Sequence, residues 1–191
     1  MPGASLWLLP PEAHPLSAVL TALIQRTASH FGSSDLFIPH LTLTSDLPPS
    51  TYASEPQQWL DSLDLPTGAV HIEFAMLASE PVYFRKLYLK CVKTASLTAL
   101  ATACKKHVAG YADGEMASTW AHDTFNPHVS LLYHDCPQVD AQGLAATSTL
   151  AQEEGIDFVA RRGLSWTGGR VVLVATDKPT SEWAPIAQRV V

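Results

Sequence analysis

The sequence is poor in the residues that build disulfide frameworks and structural zinc sites. Only three cysteines, Cys91, Cys104 and Cys136, occur among the 191 residues, and none belongs to a Cys-x-x-Cys pair. An odd and small number of thiols argues against a disulfide scaffold or a zinc site, and it fits a reducing compartment. No metal ligand spacing of a known kind occurs elsewhere in the chain.

Long apolar runs and charge are also scarce. The first apolar run, residues 6–9, is too short for a signal peptide or a membrane span, so we expect a cytoplasmic protein. Association with an organelle is left open. Charged residues make up 16% of the chain and the net charge is −6. Because long nucleic acids are bound by strongly basic surfaces, this balance favours a small ligand. Four cations could still form a local basic patch: Arg85, Lys86, Lys90 and Lys93.

Apolar residues are plentiful, at 47% of the chain. This content supplies a sizeable core and argues against wholesale disorder. A length of 191 residues fits one domain or two small lobes that share a core. We therefore expect one bilobal domain over residues 1–191, present as a monomer.

A seven-residue motif occurs twice. Residues 37–43 read Phe-Ile-Pro-His-Leu-Thr-Leu, and residues 125–131 read Phe-Asn-Pro-His-Val-Ser-Leu. Four positions are identical, and two more are replaced by similar residues. A short motif repeated so far apart predicts two equivalent strands, one from each half of a pseudo-symmetric fold. The proline of each copy suits the first position of a strand.

Each copy pairs an imidazole with a hydroxyl. Side chains alternate along a strand, so His40 shares a face with Thr42, and His128 shares one with Ser130. Imidazole titrates near neutral pH, so one histidine can remove a proton from an attacking water while the other protonates a leaving oxygen. The hydroxyls can bind non-bridging phosphate oxygens. This scheme needs no metal and no cofactor.

The doubled motif resembles the two-histidine phosphoesterase superfamily, and its context is similar to the fungal and plant-type cyclic nucleotide phosphodiesterases. The further matching positions are residues 83–86 with Cys91, Trp120, Tyr133, residues 165–166 and residues 182–183. The resemblance implies an α+β fold with two pseudo-symmetric lobes of antiparallel β-sheet, helices packed outside and a central cleft. It also implies His40 and His128 as catalytic residues. Thr42, Ser130, Tyr133 and Phe84 are then expected to bind the substrate.

By the same resemblance, the substrate is a nucleoside 2′,3′-cyclic phosphate, ADP-ribose 1″,2″-cyclic phosphate, or both. The latter is a by-product of tRNA splicing. The products would be a nucleoside 2′-phosphate and ADP-ribose 1″-phosphate. The symmetry of the motif leaves the roles of the histidines open, and we favour His128 as the base and His40 as the acid. Strict alternation along the strand would place Tyr133 on the face opposite His128. Tyr133 therefore reaches the site only at a β-bulge or at the end of the strand.

Other patterns predict the surrounding elements. A helix is expected from Pro15 to Gly32, and a second helix contains Leu97 and Val108. Lys105 in the last turn of that second helix is explained by the helix dipole. Residues 83–92 read as a strand in which Phe84, Lys86, Tyr88 and Lys90 share one face. Residues 111–124 read as a polar connection. Residues 158–175 read as a hairpin across Gly168-Gly169.

Three alternatives remain open at this point. One is an RNA-end enzyme of the same superfamily, acting on a 3′-terminal cyclic phosphate or a 2′–5′ linkage as the RNA ligase-like members do. Another is a non-catalytic nucleotide-binding module. The last is a metal site, for which His71, His122, Asp123, His134 and Asp135 are the available side chains. A small nucleotide partner is expected in the favoured interpretation.

Overall fold

The computed structural model describes residues 3–191, and this part of the chain forms an α+β fold. The helices are α1 (Pro15–Phe31), α2 (Pro56–Ser62), α3 (Ala95–Lys105), α4 (Gly114–Asp123) and α5 (Ala141–Glu153). The strands are β1 (Ala4–Leu9), β2 (Leu41–Leu47), β3 (His71–Ala78), β4 (Leu87–Cys91), β5 (His128–Leu132), β6 (Ser165–Thr167), β7 (Arg170–Ala175) and β8 (Pro185–Val190). Within residues 3–191, no helix has the length and apolarity needed to span a bilayer.

The strands form one curled antiparallel sheet in the order β6-β3-β4-β5-β2-β1-β7-β8. This order is symmetric about its centre, where β2 and β5 are neighbours. Three further strands lie on each side of that pair, so each half contributes four strands. The prediction of an α+β fold with two related halves of antiparallel sheet is therefore confirmed, and the repeated motif lies at the seam between the halves.

The helices of the two halves are exchanged across this seam. Helix α1 joins β1 to β2 but packs on β5, whereas α3 follows β4 and packs on β2. A buried hydrogen bond fixes the first contact, because Thr27 Oγ1 donates to the Leu131 carbonyl over 2.6 Å. Each half thus covers the central strand of the other, and the apolar core is continuous between them.

Helix α1 forms where the sequence predicts it. Its buried side recurs every three or four residues, at Leu16, Leu20 and Leu23. The Nδ1 atom of His14 accepts the Leu16 N–H at the start of the helix. At the other end, Gly32 has a φ of 73° and its N–H bonds to the Ala28 carbonyl, a left-handed conformation that glycine adopts without strain.

The predicted hairpin across Gly168-Gly169 is wrong. Strand β6 pairs with β3 at one end of the sheet, and β7 pairs with β1 in the other half. The glycines instead carry the chain from one half to the other, and a Cβ on Gly169 would lie 2.3 Å from the Leu9 carbonyl oxygen. Two β runs around a glycine pair are typical of a hairpin, but β6 and β7 do not pair with each other: β6 pairs with β3, and β7 lies between β1 and β8.

Two other local predictions also need correction. Residues 83–92 are not one strand, because Tyr83–Arg85 forms a 3₁₀ turn before β4 begins at Leu87. Residues 111–124, predicted as a connection, contain α4, which is capped by the Asp113 carboxylate accepting the Glu115 N–H. The fully buried residues of α4 are two alanines, Ala117 and Ala121, so its sequence lacks the large apolar residues that usually mark the buried face of a helix.

Candidate active site

The two histidines lie at the same place in the two halves. Strand β2 begins at Leu41, directly after His40, and β5 begins at His128 itself. The motif prolines, Pro39 and Pro127, therefore precede the strands, and the prediction that they are the first strand residues is wrong. Because proline has no N–H to contribute to a ladder, both strands start only after it.

Both imidazoles are held in the same orientation by the backbone. The Nδ1 atom of His40 lies 2.7 Å from the Ile38 carbonyl oxygen, and Nδ1 of His128 lies 2.7 Å from that of Asn126. A carbonyl oxygen can only accept, so each Nδ1 carries a hydrogen. Each neutral ring therefore has its lone pair on Nε2, the nitrogen left available for proton transfer.

The register of the sheet brings the four motif side chains to one face. Leu41 pairs with Val129 in the antiparallel β2–β5 ladder. One step either way along this register sets Thr42 across from His128 and His40 across from Ser130. Opposed Cβ atoms lie about 4.5–5.5 Å apart, and diagonal neighbours are about 7–8 Å apart or closer. The histidines are thus diagonal neighbours, each facing the hydroxyl of the other motif.

A cavity of about 250 Å³ opens beside this arrangement. His128 and Thr42 are part of its wall, together with Arg85, Asp46, Lys105 and Trp120. His40 is only 5% exposed and does not border this cavity. Ser130 is buried too, and its Oγ donates to the Phe84 carbonyl over 2.7 Å. Of the two histidines and two hydroxyl residues of the motif, His128 and Thr42 are the ones that border the cavity.

Aromatic rings enclose His40. The Trp7 ring stacks on the imidazole with 3.7 Å between centroids. The Tyr133 hydroxyl lies 3.4 Å from His40 Nε2, and its ring stacks on Phe37. Tyr133 follows the end of β5, so it has the strand-end position that it needs to reach the site. Phe84 meets Tyr133 edge-on, stacks with Trp183 and does not border the cavity.

Comparison with known proteins identifies the family. The sequence matches the family described as cyclic phosphodiesterase-like protein over residues 1–191. The chain belongs to this family. A relative from Phaeosphaeria nodorum is 51% identical over 191 residues, 99% of each chain, and one from Neurospora crassa is 35% identical over 100% of each chain. Both are named 2′,3′-cyclic-nucleotide 3′-phosphodiesterase. The family resemblance drawn from the doubled motif is confirmed.

Electrostatics in this cyclic phosphodiesterase-like chain favour neutral histidines. The pKa of His40 is lowered to about 4, mainly by burial; the Ile38 hydrogen bond opposes this shift, and the nearby His128 contributes to it. Burial also lowers the pKa of His128. Arg85 acts on His128 in the same direction, whereas Glu80 opposes it. At neutral pH, both Nε2 atoms therefore carry lone pairs in the ligand-free protein.

The pKa of His40 makes stability depend on pH. The unfolded chain binds a proton at its ordinary pKa of 6.5 and the folded protein at about 4, so the unfolded chain holds more protons between these values. The contribution of His40 to the free energy of unfolding is expected to be fully present above pH 6.5. It should fall by roughly 3 kcal/mol as the pH decreases towards 4. Urea unfolding across this range tests the slope, and His40→Asn should remove most of it. An NMR titration that placed His40 near 6.5 would contradict the expectation.

Sequence reasoning missed a charged network beside His128. Glu80 accepts the Tyr88 hydroxyl over 2.6 Å and forms an ion pair with Arg85 at 2.8 Å. The Tyr88 ring meets the His128 ring edge-on at 5.3 Å, because Lys90 and Tyr88 pair with His128 and Ser130 in the sheet. Alternation along β4 does place Tyr88 and Lys90 on the face of the site, as the sequence indicates.

The structure places two lysines differently from the sequence predictions. Lys86 was expected on the face with Tyr88, but it is buried and its Nζ donates to the Cys136 carbonyl. Lys105 was expected only to cap α3, yet it lies in the wall of the cavity. The residues proposed for a metal site do not converge: within residues 3–191, no three histidine, cysteine or acidic side chains are grouped to hold a metal ion.

Proposed function

We propose that this protein hydrolyses nucleoside 2′,3′-cyclic phosphates to nucleoside 2′-phosphates by a two-histidine mechanism. The observation that carries the proposal is the matched pair of imidazoles on one face of the β2–β5 ladder, each with Nδ1 held by a carbonyl so that Nε2 is the nitrogen left for proton transfer. The names of the fungal relatives point to the same reaction.

The reaction needs one proton removed and one delivered. One Nε2 takes a proton from water as the water oxygen attacks phosphorus, and the bond from phosphorus to O3′ breaks. The other histidine, protonated beforehand, gives its proton to O3′. One water is consumed, and the phosphate stays on O2′. Thr42 and Ser130 stabilise the non-bridging oxygens, and for this Ser130 must turn its hydroxyl away from the Phe84 carbonyl.

The surroundings of the rings favour His40 as the base and His128 as the acid, the reverse of our preference from sequence. His40 is enclosed by apolar rings and has a pKa of about 4, so it remains neutral. His128 borders the cavity; burial lowers its pKa as well, and the Asn126 hydrogen bond and Glu80 oppose that shift. An anionic substrate in the cavity adds to these raising effects and favours uptake of the proton that an acid must carry.

Product analysis with adenosine 2′,3′-cyclic phosphate tests the proposal. We expect adenosine 2′-phosphate alone, at a rate that excess EDTA does not change, because the protons move between imidazoles. Chromatography separates the 2′- and 3′-phosphates. Formation of the 3′-phosphate, or a lasting loss of turnover on metal removal, would contradict the mechanism.

The size of the cavity guides the choice among related substrates. A volume of about 250 Å³ and a net charge of −6 fit a small cyclic phosphate better than an RNA strand. ADP-ribose 1″,2″-cyclic phosphate, formed after tRNA splicing, is the second proposed substrate. Equal or faster turnover of an oligonucleotide with a 3′-terminal cyclic phosphate would instead support the RNA-end alternative.

The thiols support the cytoplasm as the proposed location. Cys91 and Cys104 are buried free thiols whose pKa values are raised by burial, so both remain protonated and unreactive. Neither is positioned as part of a disulfide, which fits a reducing compartment.

A further inference from the structure

Lys105 is a buried lysine in the wall of the proposed active-site cavity. It is only 8% exposed and lies on the same side of α3 as Leu97 and Ala101. Its Nζ lies 4.1 Å from the centroid of the Tyr111 ring and 4.7 Å from that of Trp120. Lysine is almost never buried unless it is paired, so we expect the ammonium group of Lys105 to have an interaction partner.

Within residues 3–191, the Lys105 ammonium has no carboxylate within 4.0 Å, and its observed contacts are the two ring faces. The end of α3 does not need it as a cap, because the Lys106 N–H bonds to the Cys104 and Thr102 carbonyls. An ammonium has three donors, and aromatic faces stabilise its charge without accepting hydrogen bonds in the ordinary way. Its donors therefore remain available to a ligand in the cavity.

The ammonium reaches the cavity from α3, whereas the motif side chains come from the β2–β5 ladder. Burial lowers the pKa of Lys105, and Asp46 opposes that shift. Thr42 and Asp46 are four residues apart on β2. Both residues border the cavity. A cyclic phosphate held at Thr42 and Ser130 leaves the Asp46 end of the cavity to another part of the same molecule.

We propose that Lys105 binds a second, non-reacting phosphate of the substrate, so that the enzyme prefers nucleoside cyclic phosphates that carry an additional phosphate or pyrophosphate group. This inference rests on the proposed hydrolysis of cyclic phosphates. Trp120 and Tyr111 hold the ammonium in place, and Trp120 itself borders the cavity. Lys105 is thus a specificity residue that contacts the substrate without taking part in proton transfer.

Kinetics on two matched substrates test the preference. Adenosine 2′,3′-cyclic phosphate is compared with the same nucleotide carrying a 5′-phosphate, in the wild type, Lys105→Gln and Lys106→Gln. Lys106 is the matched control, because it is the next residue but is exposed and lies outside this cavity. We expect the wild type to favour the 5′-phosphorylated substrate by about tenfold, chiefly through KM, as a charge-assisted contact would. Lys105→Gln should abolish that preference and Lys106→Gln should retain it.

Binding of products separates this inference from the proposed reaction. Calorimetry compares adenosine 2′,5′-bisphosphate with adenosine 2′-phosphate, and we expect the bisphosphate to bind about tenfold more tightly only while Lys105 is present. Unchanged affinity of Lys105→Gln for adenosine 2′-phosphate shows that the variant is folded. Equal binding of both products by the wild type, or a preference retained in Lys105→Gln, overturns the inference. A Lys105-dependent preference without turnover of either cyclic phosphate would uphold this subsite and refute the proposed hydrolysis.

Discussion

Replacing either His40 or His128 by asparagine is expected to lower kcat on adenosine 2′,3′-cyclic phosphate by about 10³–10⁴-fold, since each variant loses one of the two proton-transfer groups. Asparagine is the suitable replacement because its amide can still donate to the carbonyl two residues back, as Nδ1 does in both motifs. It has no counterpart of Nε2. The substitution therefore removes the reactive nitrogen while keeping the local hydrogen bond.

The control for this experiment is His122→Asn, because His122 is exposed at the end of α4 and lies outside the cavity. It should retain wild-type turnover. The double variant His40→Asn/His128→Asn should lose little more than either single variant, because the two groups act as a unit. Full turnover in either single variant would favour a non-catalytic role for the motif, as in a nucleotide-binding module.

Trp7→Ala is expected to reduce the free energy of unfolding by about 3–5 kcal/mol, the usual cost of removing a large aromatic side chain from a core. Trp7 is completely buried and packs on both His40 and Trp183. Removing its ring also lets water reach the His40 imidazole. The pKa of His40 should therefore rise from about 4 towards its ordinary value, which NMR titration can follow.

Trp7→Phe separates the loss of the ring from the loss of the indole N–H. The Nε1 atom of Trp7 is buried without a hydrogen-bond partner in the described structure, so phenylalanine removes an unsatisfied donor while keeping an aromatic face on His40. We expect it to cost about 1 kcal/mol or less. Urea unfolding of both variants is compared with Trp59→Ala, which removes a half-buried tryptophan. A Trp7→Ala cost no greater than that of Trp59→Ala would contradict the expectation.

The sequence contains enough information to predict the centre of the site. The repeat places a histidine and a hydroxyl two residues apart in both copies, and a period of two defines a shared strand face. That information is local, and the pairing of Leu41 with Val129 agrees with it. The hydrogen bond from each Nδ1 to its carbonyl is local as well, but it depends on the backbone conformation at the prolines rather than on residue types.

The aromatic surroundings of His40 could not be predicted in the same way. Every residue of β1 is buried, so Trp7 shows no alternation to reveal which face it occupies. Its place against His40 follows from the pairing of β1 with β2, a contact between distant parts of the chain. The misassigned hairpin at Gly168-Gly169 has the same origin, because local turn signals do not identify strand partners.

The buried position of Lys105 could have been predicted from the sequence, but the residue was attributed to the helix dipole instead. It follows Leu97 by eight residues and Ala101 by four, so it belongs to the buried stripe of α3. A lysine within such a stripe conflicts with the rest of the pattern. Conflicts of this kind are expected at functional positions, whereas the helix dipole would be served equally well by the exposed Lys106.

The exchange of α1 and α3 between the halves has a consequence for folding. Neither half alone could shield the apolar side of its own central strand, because the helix that covers it belongs to the other half. Strands β7 and β8 also return to the first half after β6 has completed the second. A partly folded species would therefore hold neither imidazole in its working position. The two histidines are brought together only when the entire sheet folds as a single cooperative unit.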